Sequence, residues 1–148
     1  MDEKRITGIR SPVIEFIRLT MNVEFGIIMN NFDLKRSLVN DVPKYKERLL
    51  WIDFPEYLDF TYENVLNFFR DVYGFRMTWE YRTYEYYGEE ESEWMWNVRN
   101  KNTGESERTE WNFADPDMKF ESITENEEQL AILSIIDYVL EKIENLEF

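Results

Sequence analysis

Apolar residues recur at helical spacing in the first part of the chain. Ser11 can cap free backbone amides and Pro12 is tolerated at the first helical position, so we expect a helix to begin there and to run to about Asn30. After this stretch the pattern is broken, and it indicates a short helical piece over 34–40 and another that starts at Pro43. The first half of the chain is therefore expected to be helical.

Two later helices have clearer ends. Thr61 is a capping residue in front of an apolar stripe, and Gly74 supplies the left-handed residue that commonly ends a helix. Thr124 and Glu127 have the spacing of a capping box, in which a hydroxyl and a carboxylate satisfy free amides. They predict a last helix over about 125–146.

Between these two helices the period becomes alternating, which is typical of half-buried strands. A first strand begins at Phe75, and a second is expected from Glu93 to Arg99, after a turn formed by Gly88 and the glutamates that follow it. A third strand is expected around Trp111. The aromatic residues at strand spacing are expected to pack beneath the last helix: Trp79, Tyr81, Trp94, Trp96, Trp111 and Phe113.

The order of these patterns predicts an α+β fold. N-terminal helices precede an antiparallel three- to four-stranded β-meander over about 75–122, and a C-terminal helix over about 125–146 covers it. The short fourth strand is expected around 118–122, beyond a break at 115–117.

Size and composition fit one soluble domain. The chain has 148 residues, of which 17% are aromatic, so it can build a core that a disordered chain lacks. We predict a single domain over 1–148, with residues 1–8 flexible. The charged start leads into no signal-peptide core, and no apolar run approaches the length of a membrane helix. A cytoplasmic location is expected.

Charge is distributed unevenly along the chain. The formal net charge is −14, and residues 1–50 hold nine Lys or Arg against seven Asp or Glu, a net of +2. Residues 51–148 hold eight against 24, a net of −16. Such an acidic surface repels nucleic acid and anionic lipid and attracts basic proteins. We therefore expect a basic protein partner, with no direct binding of nucleic acid and no membrane.

The side chains that carry most enzyme chemistry are missing. The sequence has no His and no Cys, which removes the best proton carrier near neutral pH and the usual nucleophile and base pairs. It also has no glycine-rich phosphate loop and no calcium loop of the EF-hand type. We predict that the protein is not an enzyme and has no catalytic residues, metal site or cofactor.

The best enzyme-like fragment runs from Asp115 to Lys119 and reads Asp-Pro-Asp-Met-Lys. It resembles a fragment of the restriction-type nuclease motif, in which an acid two residues before a lysine and an earlier acid hold a metal ion. Glu107 or Glu110 would have to supply that earlier acid. The alternative is a turn in which aspartates accept hydrogen bonds from nearby backbone amides, and we favour this interpretation.

The acidic turn after the first strand is the candidate binding site. Tyrosines crowd the end of that strand, where burial of all of them is difficult, and tyrosine is favoured at protein interfaces. The other interpretation of the glutamates is a solvated surface that keeps the protein soluble. The predicted partner-binding residues are Glu89, Glu90, Glu91, Glu93, Tyr84, Tyr86, Glu105 and Glu107.

Acidic residues also stand at the carboxyl end of the last helix. Glu141, Glu144 and Glu147 lie where the helix dipole favours cations, and in the sequence only Lys142 opposes them. This placement is expected to cost stability, which favours a binding role for the acidic surface.

These observations predict a non-catalytic acidic inhibitor that binds the basic surface of a nucleic-acid-processing protein. A phage anti-defence protein of the anti-CRISPR or antirestriction, DNA-mimic type, or a toxin-immunity protein, would act in this way. One alternative is an accessory domain that uses an apolar surface or self-association. Another is a metal-dependent, nuclease-like hydrolase centred on Asp117 and Lys119.

Overall fold

The computed structural model describes residues 32–100, 111–115 and 117–148. The helix predicted from Ser11 to Asn30 and the flexibility expected of residues 1–8 lie outside this part of the chain. The described helices are α1 (Leu38–Asp41), α2 (Tyr45–Trp51), α3 (Tyr62–Tyr73) and α4 (Glu127–Glu144). The described strands are β1 (Phe75–Tyr86), β2 (Glu89–Asn100) and β3 (Asn112–Phe113).

The predicted α+β class is confirmed. Helices come first, and the strands form a three-stranded antiparallel sheet in the order β1-β2-β3, which packs against α4. The pairing of β1 with β2 runs from Phe75 opposite Asn100 to Tyr86 opposite Glu89. Strand β3 is short, and Phe113 lies opposite Met95.

Both predicted ends of α3 are confirmed. The Thr61 Oγ1 accepts a hydrogen bond from the backbone N–H of Asn64 at 3.0 Å. Gly74 ends the helix with a φ of 79°, a left-handed value that glycine adopts without steric strain. These caps fix where the helical part of the chain turns into β1.

The start of α4 differs from the prediction. Asn126 is the cap, since its Oδ1 accepts from the backbone N–H of Gln129 at 2.9 Å. The Thr124 Oγ1 instead accepts from the N–H of Asn126 at 2.9 Å, so it stabilises the turn before the helix. The predicted capping box of Thr124 and Glu127 is therefore wrong, because a better-placed amide side chain caps the same helix two residues later.

Helix α4 lies at the centre of the core. Nine consecutive residues, from Glu128 to Ile136, are buried. A helix has 3.6 residues per turn, so a sheet on one side would bury only one face of it, and other elements must cover the rest. The helix contacts β1, β2 and α3, and Arg48 of α2 bonds to Glu144 near its end. No helix of the described ranges is long and apolar enough to cross a membrane.

The fourth strand expected around 118–122 is wrong, because these residues form turns. Both oxygens of the buried Asp115 carboxylate accept backbone hydrogen bonds, from Lys119 N–H at 2.8 Å and from Phe120 N–H at 3.0 Å. Asp115 and Met118 have left-handed φ values of 49° and 56°. The backbone after Asp115 therefore turns back towards the Asp115 side chain and does not form a further strand.

Candidate functional site

Strands β1 and β2 form a hairpin whose far end projects into solvent. Tyr87 and Gly88 make a two-residue turn with φ values of 52° and 79°, as a type I′ turn requires. From 83 to 92 every residue except the half-buried Tyr84 is exposed. We call residues 83–92 the acidic arm, because its charged side chains are all glutamates.

The predicted acidic turn is thus part of a strand. Glu89 already pairs with Tyr86, so β2 begins four residues before the predicted Glu93. The correction has a physical reason: two residues with positive φ reverse the chain, and the glutamates that follow can then join the ladder. Their side chains project to alternate faces of the hairpin.

The register assigns each glutamate to a face. Trp79 bonds to Glu128 of α4 and Trp96 contacts Tyr138 of α4, so their face is the inner face of the sheet. On the opposite, outer face, the three cross-strand pairs nearest the turn are Arg82 with Glu93, Tyr84 with Glu91, and Tyr86 with Glu89.

Five of the predicted partner-binding residues are therefore brought together on the outer face: Tyr84, Tyr86, Glu89, Glu91 and Glu93. Glu90 is not among them, because it lies on the inner side of the arm opposite Glu85. Glu105 and Glu107 lie outside the described residues.

The three outer-face glutamates form a row along β2. Glu89 and Glu91 are exposed, and Glu93 is half-buried at the base of the arm. Alternate residues of a strand are about 7 Å apart, so the carboxylates recur at about that interval. From 80 to 93 the chain has six Glu and one basic residue, Arg82, a net of −5. The arm is thus a local concentration of negative charge.

Tyr84 is fixed in place within this face. Its hydroxyl donates to Glu93 Oε2 at 2.6 Å, and its ring lies edge-on to Phe113 at 5.7 Å. The hydrogen bond to Glu93, with a smaller contribution from desolvation, raises the pKa of Tyr84 to about 12. Tyr86 and Tyr87 are 58% and 90% exposed, with their rings 4.5 Å apart. Tyr84 is thus held in place by Glu93 and Phe113, whereas Tyr86 and Tyr87 remain exposed.

Two of the aromatic residues expected beneath the last helix lie on the other side of the sheet. Phe113 pairs with Met95 on the outer face, and Trp111 lies under Arg82, whose guanidinium carbon is 4.4 Å from the ring centroid. The prediction for these two residues is wrong, because alternation along a strand does not show which face the helix covers. Trp79, Trp94 and Trp96 do belong to the inner-face core.

The acidic end of α4 has a second cation. Arg48 of α2 donates two hydrogen bonds to Glu144, from Nε and Nη2, both at 2.8 Å. This hydrogen bonding is the main cause of the raised pKa of Arg48. Glu147 pairs with Lys142 at 3.5 Å. The expectation that only Lys142 opposes these glutamates is wrong, because Arg48 is 96 residues away in sequence and its approach depends on the fold.

A cavity of about 220 Å³ lies beside the middle and second half of α4. Its polar wall centres on Asp137, which accepts hydrogen bonds from Tyr45 at 2.9 Å and from Lys119 at 2.9 Å, with Arg48 at 3.5 Å. Burial tends to raise the pKa of Asp137, but the hydrogen bonds from Lys119 and Tyr45 and the nearby positive charges outweigh it and hold the pKa below its ordinary value. The lining residues are Trp96, Asp115, Asp117, Lys119, Phe120, Ser134, Asp137, Tyr138 and Glu141.

The nuclease-like fragment borders this cavity, and the favoured turn interpretation is confirmed for Asp115. Its carboxylate bonds to two backbone amides, as described above, while Lys119 Nζ bonds to Asp137. Asp117 is exposed. Within 32–100, 111–115 and 117–148 no group of three or more Asp, Glu, His or Cys side chains could hold a metal ion.

The sequence did not reveal the roles of Arg82 and Asp137. Arg82 stacks on Trp111. The only sign of this in the sequence is that Arg82 occupies a polar position in the alternating pattern of β1. Asp137 bonds to residues from two distant parts of the chain, α2 and the turn at Lys119, so no local pattern identifies it. Comparisons with models of protein families, with curated proteins and with solved structures find no match to this chain.

Proposed function

We propose that the protein is a non-catalytic inhibitor that places its acidic arm against the basic surface of a nucleic-acid-processing protein. One observation carries this proposal: an exposed hairpin without a basic residue from 83 to 93 presents three glutamates and two tyrosines on one face. The carboxylates would occupy positions that the partner uses for phosphates. Tyrosines beside them would supply apolar contact area, which they do at low entropic cost.

Electrostatics support an interaction of this kind. The net charge of −14 steers a basic protein towards this chain and speeds its association, and it repels nucleic acid from this chain. A rigid strand also presents charges with less loss of conformational entropy than a mobile loop. The geometry of the acidic arm and the negative charge of the whole chain therefore favour the same class of partner, a basic protein.

Two biological settings fit this proposal. A phage anti-defence protein of the anti-CRISPR or antirestriction type would block a bacterial nuclease, and an immunity protein would neutralise a toxin nuclease. Both act on a basic nucleic-acid-binding partner without chemistry of their own. In either setting the contact would be made in the cytoplasm.

The test is affinity capture from lysates of the source cell or its host at 0.05 and 0.5 M salt, followed by binding measurements with the captured partner. We expect a basic nucleic-acid enzyme that is released as salt rises. The outer-face variant E89K/E91K should weaken binding at least tenfold. The matched variant E85K/E90K makes the same charge change on the inner side of the arm, and it should slow association with a smaller loss of affinity.

Different results would contradict the proposal. If the captured partner resists high salt and both variants bind as tightly as wild type, the arm is not the contact surface. If both variants weaken binding equally, the net charge matters and the outer face has no special role. Inhibition of the partner's nuclease activity at equimolar protein is the functional readout.

A second candidate, an accessory domain that binds through an apolar surface, rests on one exposed residue. Trp51, the last residue of α2, is 73% exposed. The next residue, Ile52, accepts a hydrogen bond through its carbonyl from the Tyr73 hydroxyl at 2.9 Å, and the Tyr73 ring lies 5.0 Å from that of Phe148. Trp51 thus lies next in sequence to a residue that contacts the aromatic pair at the carboxyl end of α3. Sedimentation at 0.5 M salt tests it: a concentration-dependent mass that W51S abolishes would favour self-association.

A further inference from the structure

A guanidinium already lies on the outer face of the sheet. The Arg82 guanidinium carbon is 4.4 Å from the ring centroid of Trp111, and its Nη1 donates to Glu80 Oε2 at 2.9 Å. An aromatic ring on one side and a carboxylate at the edge thus hold one arginine of the chain itself. The outer face of the sheet therefore already binds one guanidinium between an aromatic ring and a carboxylate.

The acidic arm repeats the same combination without an arginine of its own. Tyr86 lies directly opposite Glu89, and the next pair towards the base, Tyr84 with Glu91, is again a ring beside a carboxylate. Directly opposite side chains of an antiparallel pair have Cβ atoms about 5 Å apart, so ring and carboxylate can contact one ligand group. Tyr86 is 58% exposed, which leaves much of its surface open to a partner.

Arginine fits this arrangement better than lysine does. A guanidinium is planar, stacks on aromatic rings and donates two parallel hydrogen bonds to a carboxylate, and it is more weakly hydrated than an ammonium group. Lysine offers a compact, strongly hydrated charge that gains less from a ring face. A glutamate alone favours arginine only through the second hydrogen bond, and a tyrosine ring beside it adds a stacking preference.

We infer that the outer face of the arm selects arginine over lysine and takes a partner segment with arginines at alternate positions of an extended strand or loop. This inference rests on the proposed function and makes its partner surface specific. Glu89 and Glu91, the exposed carboxylates of the row, lie about 7 Å apart, which is the interval between side chains on one face of an extended chain, while Glu93 already accepts a hydrogen bond from Tyr84. Each arginine of such a segment would meet one carboxylate.

The experiment uses the whole protein and two nine-residue peptides. One alternates Ser and Arg, the other alternates Ser and Lys, so length and charge are equal. Isothermal titration at low salt gives the two affinities, and NMR of the arm amides localises the binding. We expect the arginine peptide to bind about three- to tenfold more tightly to wild type, since each ring contact contributes a modest preference.

Variants separate the ring contribution from charge. Y86L keeps apolar bulk at an exposed strand position but removes the ring, and it should reduce the arginine preference towards one while the lysine peptide binds as before. Y57L removes a tyrosine that is 87% exposed elsewhere on the chain, and the preference should remain. E89Q should weaken both peptides because it removes charge, and it should weaken the arginine peptide more, because the amide can accept only one of the two parallel hydrogen bonds.

Three results would overturn the inference. Equal affinity of the two peptides for wild type would remove the selectivity and leave the proposed acidic contact standing. An arginine preference that persists in Y86L and in Y86L/Y87L would show that the exposed rings do not produce it. Peptide binding without shifts in the arm amides would place the site elsewhere, and the charge-reversal variants of the arm would then decide the proposed function separately.

Discussion

The carboxylate of Asp115 has a structural task that its sequence context does not reveal. The residue is 6% exposed, and both of its oxygens accept hydrogen bonds from amides four and five residues ahead. Its own N–H donates to the Ser134 Oγ of α4 at 2.7 Å. Asp115 thus ends the sheet, shapes the turn that follows it and ties that turn to the central helix.

Replacing Asp115 by Asn should destabilise the fold by about 1–3 kcal/mol, because the new amide group presents a donor to a backbone donor in a buried place. Asn tolerates the positive φ of 49°, so backbone strain adds little. Urea unfolding at pH 7 measures the change. The matched control is Asp117→Asn at an exposed position, which should stay within about 0.5 kcal/mol of wild type. Equal effects of the two variants would contradict this role for Asp115.

Asp137 joins three parts of the chain through its charge. Its lowered pKa means that the folded state favours the carboxylate, so its contribution to stability is present above the ordinary pKa of 3.8 and is lost as the pH falls through the folded pKa. Asp137→Asn should therefore cost about 1–2 kcal/mol at pH 6 to 7, and the difference from wild type should shrink below about pH 4.

Urea unfolding at pH 7, 5, 4 and 3 tests this profile. The control is Glu141→Gln, one helical turn further along α4 at an exposed position, which should show little difference at any of these pH values. A penalty for Asp137→Asn that stays constant down to pH 3 would mean that packing, and not the ionised hydrogen bonds, accounts for it.

At the scale of elements, the arm contains a direct repulsion. Glu85 of β1 lies opposite Glu90 of β2, and like charges in this position destabilise a hairpin. Glu90→Lys should convert the repulsion into an attraction and stabilise the protein by about 0.2–1 kcal/mol. Hydrogen exchange of the arm amides and urea unfolding both report the gain. The double variant E85K/E90K restores like charges, so it should lose that gain.

Most elements could be predicted because their signals are local. Thr61 and Gly74 mark the ends of α3 through bonds that reach only a few residues, and the alternation from Phe75 identifies β1. Where two local signals compete, sequence reasoning fails. Asn126 caps the helix that Thr124 was expected to cap. The side chain of Asp115 accepts hydrogen bonds from backbone amides that in an extended chain would have paired with a strand.

The candidate site could be predicted only in part, for a geometric reason. Tyr84, Tyr86 and the glutamates were identified as a group, but the two-residue turn sets the register, and the register sends Glu90 to the other face. The left-handed Tyr87 in that turn has no signal in the sequence, since such φ values are uncommon for tyrosine. The contact of Arg82 with Trp111 joins β1 to the residue just before β3, 29 positions further along the chain.

At the scale of the whole molecule, a net charge of −14 opposes folding because compaction brings like charges together. Ion pairs such as Arg48–Glu144 act in the opposite direction, but the described pairs mostly include an exposed partner, where each contributes little. Salt screens both effects. Because acidic residues outnumber basic ones, 31 to 17, the repulsion should dominate.

We therefore expect salt to stabilise this protein. Raising NaCl from 0.02 to 0.5 M should increase the free energy of unfolding by about 1 kcal/mol, since the Debye length shrinks below the spacing of most surface charges. Urea unfolding at both salt concentrations measures it. The variant E85Q/E89Q/E90Q/E91Q removes the charges of the arm and should show a smaller gain, because part of the repulsion is then absent at low salt. A decrease in stability with salt would mean that the ion pairs outweigh the repulsion. The acidic surface would then not destabilise the protein, and no binding role would be needed to explain why it is kept.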